Sequence, residues 1–320
     1  MTRNEFITSV ETAKVIGIAG HVRPDGDCVG SCLGVYNFLK EGFPEKEVHV
    51  FLEPIPNIFK FLQNADALED ATECSTHFDL FIALDCGDSS RLGAAAELFL
   101  AADHTFCVDH HLSNASFAEK NYIFPKASST CELVYELLPK ERIDLAIAEC
   151  LYTGMVHDTG VFQYSCTSAK TMNIAGELME KGIDYSRIID ETFYTKTYNQ
   201  NRILGQALID AKLYLGGKVI ASVVTKDMME QYDVLPKHLD GIVNQLRVTK
   251  DVEIALFLYQ TDGESFKVSA RASSDFNLAE LAALYGGGGH AKAAGFTMEG
   301  TPEEILEKVV QEIEKRMQGQ

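Results

Sequence analysis

The chain is poor in basic residues. Across 320 residues it has 28 Lys and Arg against 47 Asp and Glu, a formal charge of −19. Binding a long duplex takes many cationic contacts to phosphate, so that partner is excluded unless a basic groove forms locally. A short nucleotide stays compatible, because bound cations reverse the local sign. No CxxC occurs among Cys28, Cys32, Cys74, Cys86, Cys107, Cys131, Cys150 and Cys166, and no cysteine follows Cys166. A structural zinc site or a disulfide framework therefore fits poorly, and reduced, mostly buried thiols are expected. No apolar run approaches the roughly 20 residues that span a bilayer. The opening MTRNEFITSVETAKVIGIAG lacks a basic segment followed by an apolar run and a small-residue cleavage site. A cytoplasmic protein with no membrane partner is expected.

What is present is an ordinary globular composition, 46% hydrophobic and 23% charged, at a length natural for two domains. In the first half, Val15–Ala19, Val48–Leu52, Leu80–Leu84 and Thr105–Val108 read as short, almost wholly apolar strands. Helical spacing at Cys28–Lys40 and Ala94–Ala101 separates them. That alternation predicts an α/β fold with a parallel sheet covered on both faces. From Ser129 to about Gly182 the pattern turns helical, and Leu145–Met155 is apolar nearly all round.

Arg187–Leu213 reads as a long, more polar helix bridging two domains. Beyond it, Val219–Thr225, Val252–Tyr259 and Phe266–Ala272 read as strands. Pro236–Arg247, Leu278–Tyr285 and Pro302–Met317 read as helices, with Pro236 and Pro302 at first helical positions. The expected division is residues 1–186 as a metal-binding domain, 187–213 as a linker helix, and 214–320 as a smaller α/β substrate-binding domain.

Acidic and histidine residues recur where the apolar segments end. His21-Val22-Arg23-Pro24-Asp25-Gly26-Asp27 follows the first strand. Asp85-Cys86-Gly87-Asp88 follows the Leu80 strand, and Asp109-His110-His111 follows the Thr105 strand. His157-Asp158-Thr159-Gly160 closes the buried helix. Singly, each has an ordinary structural explanation: Pro-Asp-Gly-Asp is a turn, and an Asp after a strand is a helix cap. Together, three of them at strand ends can converge, since ligands of open α/β sheets bind outside the strands' carboxyl ends. Carboxylates mixed with imidazoles suit Mn²⁺, Fe²⁺, Co²⁺ or Zn²⁺ better than Ca²⁺. Six or more ligands are enough for two ions, the arrangement that activates water against a phosphoryl group.

In the second half, Gly286-Gly287-Gly288-Gly289-His290-Ala291-Lys292-Ala293-Ala294-Gly295-Phe296 is a glycine run with a histidine and a lysine. Bare backbone N–H groups there can approach a phosphate. Arg271 ends a predicted strand, where a guanidinium suits bidentate phosphate binding.

These motifs resemble the DHH phosphoesterase superfamily, and the GGGGHxxAAG segment resembles its GGGH-bearing DHH-associated domain. The resemblance spans nearly the whole chain and is strongest to the bacterial nanoRNase group. It implies that His21, Asp25 and Asp85 hold one metal. It implies that Asp27, Asp85, His110 and Asp158 hold the other, with Asp85 bridging. His111 would face the substrate phosphate, and Asp109 would orient that segment. Arg271, Gly287, Gly288, Gly289, His290 and Lys292 would bind substrate.

Cys28 departs from the small hydroxyl or Ala residue often found at its position. The implied cofactors are two divalent ions, Mn²⁺ foremost, with Mg²⁺, Co²⁺ or Zn²⁺ as alternatives. The implied activity is hydrolysis of RNA of two to five nucleotides to mononucleotides, together with removal of the 3′ phosphate of adenosine 3′,5′-bisphosphate (pAp). A phosphodiesterase for linear or cyclic dinucleotides and a catalytically silent nucleotide-binding module are the alternatives. A homodimer is compatible with all of these.

Overall fold

The computed structural model describes residues 2–319. The chain divides into two compact units, Met1–Thr195 and Lys196–Gln320. No described helix is long and apolar enough to cross a membrane.

The first unit is built on six parallel strands: β1 (Val15–Ala19), β2 (Glu47–Phe51), β3 (Leu68–Glu69), β4 (Leu80–Leu84), β5 (His104–Asp109) and β6 (Lys120–Ile123). Their order is β3-β2-β1-β4-β5-β6, with every pairing parallel. The chain moves outward from β1 to β3, then returns to place β4 on the other side of β1. That reversal makes the carboxyl ends of β1 and β4 a topological switch point, where open α/β sheets form a ligand crevice. All of β4 and four of five β1 residues are buried, as expected for strands covered on both faces. The strand β6 and the first helix, Arg3–Thr12, carry weaker sequence signals and were not anticipated.

Helix Gly26–Gly42 packs closely on helix Leu145–Asp158. A Cβ added at Gly30 would sit 2.4 Å from the Cys150 carbonyl oxygen, and one at Gly154 would sit 2.8 Å from Asp27 Oδ1. Both contacts are shorter than atoms tolerate, so glycine sets the interhelical separation. That separation lets Asp27, at the start of one helix, approach Asp158, at the end of the other. The cysteines are all free thiols; Cys28, Cys32, Cys86, Cys107, Cys131 and Cys150 are fully buried.

The expected single helix over Arg187–Leu213 is corrected by the structure. It is a short helix, Tyr185–Ile189, a π-helical turn, Asp190–Tyr194, and a separate helix, Tyr198–Ile209, followed by a strand. The break comes from local chemistry. Thr195 is extended, and the Thr197 hydroxyl and Gln200 side chain form a capping box that starts a new helix. Pro236 opens only a three-residue 3₁₀ turn, and the helix proper is Ile242–Arg247.

The second unit carries six strands: β7 (Lys212–Tyr214), β8 (Val219–Val224), β9 (Ile254–Gln260), β10 (Ser265–Ala272), β11 (Gly288–His290) and β12 (Ala293–Glu299). Their order is β11-β12-β10-β9-β8-β7, antiparallel except for the parallel pair β8/β9. Helix Pro302–Gln318 buries Ile305, Val309 and Ile313 with Val268, Ala270 and Phe296 of the sheet. We expect Gly30→Ala to lower unfolding stability by about 1–3 kcal/mol through overpacking, measured by urea denaturation of the metal-free protein. Unchanged stability would show that the two helices can separate without cost.

Candidate metal centre

Each motif of the first unit is placed by a local structural rule. Asp25 caps helix Gly26–Gly42, its Oδ1 accepting from the N–H groups of Asp27 and Cys28, both at 3.1 Å. Its other oxygen lies 3.6 Å from His21 Nε2. The residue thus serves as the helix cap of the structural reading and also faces the cluster. His21 Nδ1 lies 2.9 Å from the Val22 carbonyl oxygen, which fixes the ring with Nε2 towards Asp25 and Asp85.

Asp27 is completely buried. Its two oxygens accept from the N–H groups of Thr130, at 2.6 Å, and Cys131, at 2.9 Å. These are the first amides of helix Thr130–Leu137, so a helix N-terminus is aimed at the carboxylate. Asp85 follows β4 with φ 56°, in the left-handed region that disfavours side chains. The Thr130 hydroxyl donates to its Oδ1 at 3.0 Å.

His110 lies between the acids. Its Nε2 is 3.0 Å from Asp158, 3.8 Å from Asp85 and 4.0 Å from Asp27. His111 Nδ1 is 2.7 Å from Asp109, and Asn114 donates to the second Asp109 oxygen at 2.7 Å.

Among the described residues, three groups of donor atoms lie close enough to share an ion: His21, Cys28 and Asp85; Asp85, His110 and His111; and Asp27, His110 and Asp158. Asp85 and His110 each belong to two of them. Asp25 lies at the edge of the cluster instead of inside one of these triplets. Cys28, unusual at its position, also presents a donor sulfur beside His21 and Asp85.

The electrostatics fit a cation centre. Burial, with Asp85 and Asp158 nearby, drives the Asp27 carboxyl well above its ordinary range, and burial likewise raises Asp158. Burial opposes charge on His21, but the Asp25 and Asp85 carboxylates overcome it and raise the imidazole to about 11. Burial is similarly overcome at His110 by Asp158, Asp27 and Asp85, again reaching about 11. For Asp25, whose side chain keeps an exposed edge, partial desolvation is outweighed by His21 and the helix amides, leaving it at about 2. The buried Asp27 and Asp85 are thus matched by imidazoles, helix amides and a hydroxyl, with opposite charge in short supply, and divalent cations would provide it. The donor set of carboxylates and imidazoles fits two such ions.

In the second unit, Arg271 on β10 is paired with Ala293 on β12, and Ala293 with His290 on β11. Directly paired residues share a sheet face, so Arg271 and His290 lie on one face, two strands apart. Lys292 is held elsewhere: its Nζ bonds the Ser274 carbonyl and lies 3.1 Å from Asp275.

The glycine run is not an open loop. Gly288 and Gly289 open the edge strand β11, Gly287 leads into it, and a Cβ on Gly287 or Gly289 would strike β12 backbone oxygens at 2.2 and 2.4 Å. Those two glycines are required for strand contact, whereas Gly288 faces open space. Thr130 and Asn114 were missed by the sequence reading. A Ser-Ser-Thr stretch ahead of an apolar helix signals only a cap.

Residues 15–155 match the DHH family, N-terminal domain, and residues 216–319 match the DHHA1 domain. An exopolyphosphatase-related protein of Bacteroides fragilis is 30% identical, with a TM-score of 0.88 over 97% of this chain and 94% of that one. The chain belongs to the DHH family. This DHH protein is also 29% identical to a bifunctional oligoribonuclease and PAP phosphatase of Thermus thermophilus, over 93% of this chain and 90% of that protein. It is 26% identical to the Bacillus subtilis protein of the same name, over 92% of each.

Two measurements test the centre. Both imidazoles carry protons at neutral pH without metal, so binding must displace them and tighten as pH rises. Calorimetry of Mn²⁺ binding in buffers of different ionisation enthalpy should show net proton release; a buffer-independent heat would contradict it. Thr130→Val should keep the fold and weaken Mn²⁺ binding by roughly 10–100-fold, the usual effect of removing a group that orients a ligand. Wild-type affinity in that variant would remove Thr130 from the site.

Proposed function

We propose that this DHH protein hydrolyses short oligoribonucleotides to mononucleotides and removes the 3′ phosphate of pAp. The observation that carries the reaction type is Asp85, whose carboxylate belongs to two donor groups at the switch point of the sheet. The substrate class is supported by relatives named oligoribonuclease and PAP phosphatase along nine-tenths of the chain.

His21, Asp25 and Asp85 would hold one divalent ion, and Asp27, Asp85, His110 and Asp158 the other; Mn²⁺ is our choice. Two such ions supply polarisation of the phosphoryl group and activation of water. The residues do the rest. Asp85 is held by its left-handed backbone and by Thr130, which keeps its carboxylate in place between the two donor groups. Asp109, held by Asn114, takes His111 Nδ1, and its carboxylate raises the His111 pKa against the opposing effect of burial. With Nδ1 turned to Asp109, Nε2 is left for a phosphoryl oxygen, and the raised pKa favours the form that donates there as negative charge builds. On the sheet of the second unit, Arg271 and His290 share one face and are our candidate donors to a phosphate, with Gly288 leaving the backbone accessible. Lys292, whose Nζ rests on the Ser274 carbonyl and beside Asp275, is our further candidate for substrate binding on this unit. Short RNA and pAp are intracellular compounds, so the reading carries a cytoplasmic location.

The test is a Mn²⁺-dependent assay on pAp, diadenylate, a 5-mer, a 24-mer and cyclic dinucleotides. Hydrolysis of pAp and of the shortest RNAs over the 24-mer is expected. Asp85→Asn, which tolerates the left-handed conformation, should lose turnover at unchanged fold. Turnover of pyrophosphate alone, or wild-type turnover in Asp85→Asn, would overturn the reading.

A further inference from the structure

The metal centre shares a wall with a separate cavity of about 420 Å³ in the first unit. The cavity opens at the carboxyl ends of β1, β2 and β3, where Gly20, His21 and Val22 form one side. Leu52, Pro54, Leu68, Leu92 and Ala95 supply apolar walls. Glu53, Glu69 and Asp70 stand among the lining residues, which include no Lys or Arg.

His21 connects the two sites. Its Nε2 faces Asp85 and Asp25, at 3.4 and 3.6 Å, while the residue also lines the cavity. The ring is only 5% exposed, so it is a fixed partition. A group in the cavity lies one side chain away from the cations that would hold a phosphate.

The lining chemistry selects what that group is. Apolar walls with a few polar acceptors suit a flat, largely apolar ring. Three carboxylates with no Lys or Arg beside them disfavour a phosphate. The carboxylates are positioned by their own neighbours: Glu53 accepts from the Arg23 N–H at 2.6 Å, Asp70 from Thr72 at 2.9 Å, and Glu69 faces His49 at 2.9 Å. Each oxygen has lone pairs beyond these contacts, and exocyclic amino groups of adenine, guanine or cytosine are suitable donors.

We propose that this cavity receives the nucleobase of the nucleotide whose phosphate lies at the metal centre; the inference rests on the phosphoesterase reading above. It makes the cavity a specificity site for amino-bearing bases, with Glu53, Glu69 and Asp70 as their acceptors. The phosphate stays with the metals, and the acidic rim admits the base while rejecting a second phosphate.

Ala94 and Thr72 are exposed lining residues, so each can be enlarged without disturbing the core. The probe is 2-aminopurine riboside, a fluorescent nucleoside without phosphate, titrated into the Mg²⁺-loaded protein. Binding to wild type is expected, with Ala94→Phe weakening it about tenfold, within the range a stacked base contributes. KM for diadenylate should rise by a similar factor with kcat retained. KM for a dinucleotide with an abasic sugar, already high in wild type, should not move. Thr72→Phe, which fills a second lining position and also removes the Thr72 hydroxyl from Asp70, should weaken riboside binding as well.

Unchanged riboside binding and KM values, in variants that melt like wild type, would overturn the proposal. An equal rise in KM for the abasic substrate would also overturn it, since the cavity would not be reading a base. If wild type hydrolyses neither dinucleotides nor pAp, the functional reading fails instead, and riboside binding still decides the cavity.

Discussion

Convergence of like charge is the constraint on which the first unit depends. Asp27, Asp85 and Asp158 meet around His110, the first two of them buried. Bringing carboxylates together there costs several kcal/mol per ion unless opposite charge accompanies them. The fold meets that cost with preset dipoles and donors: the amides of helix Thr130–Leu137 on Asp27, the Thr130 hydroxyl on Asp85 and the imidazoles between the acids. The close helix crossing at Gly30 and Gly154 keeps these groups from moving apart. A site so arranged is poised for cations, because their arrival relieves a repulsion already present.

The residues of this arrangement were largely legible in the sequence because apolar strands gave way abruptly to Asp and His. A buried strand must be apolar along its length, so polar residues collect at its end and stand out. The parallel sheet was legible for the same reason. The groups that hold the ligands were not. Thr130 and Asn114 are ordinary residues whose role lies in contacts made 45 and 5 positions away. The left-handed backbone of Asp85 leaves no mark on composition. Gly30 lies in a stretch that reads as a plain helix, and its necessity comes from the Cys150 carbonyl opposite it.

The second unit was harder to read. β12 is broken up by Gly295 and by polar residues, and its burial alternates, so its apolar signal is weak. The glycine run looked like a loop because glycine has poor strand propensity. In the fold, Gly287 and Gly289 instead allow β11 to lie against β12 without collision. Pairing carries the information that spacing lacks: Arg271 and His290, 19 residues apart in sequence, share a row through Ala293. Between the units, Arg187–Leu213 misled because its helical periodicity is real on both sides of Thr195. The capping pair Thr197 and Gln200 was the signal that two helices were present.

The buried thiols have a consequence of another kind. Six of the eight cysteines have no exposed surface, and Cys28 and Cys131 contact the backbone at His21 and Asp27. A thiol reagent reaches them only when the surrounding helices part. Their rates of alkylation therefore act as an internal clock for opening of the first unit. Any ligand that holds the carboxylates together would slow that clock, so occupancy of the site can be followed in a protein that is turning over nothing.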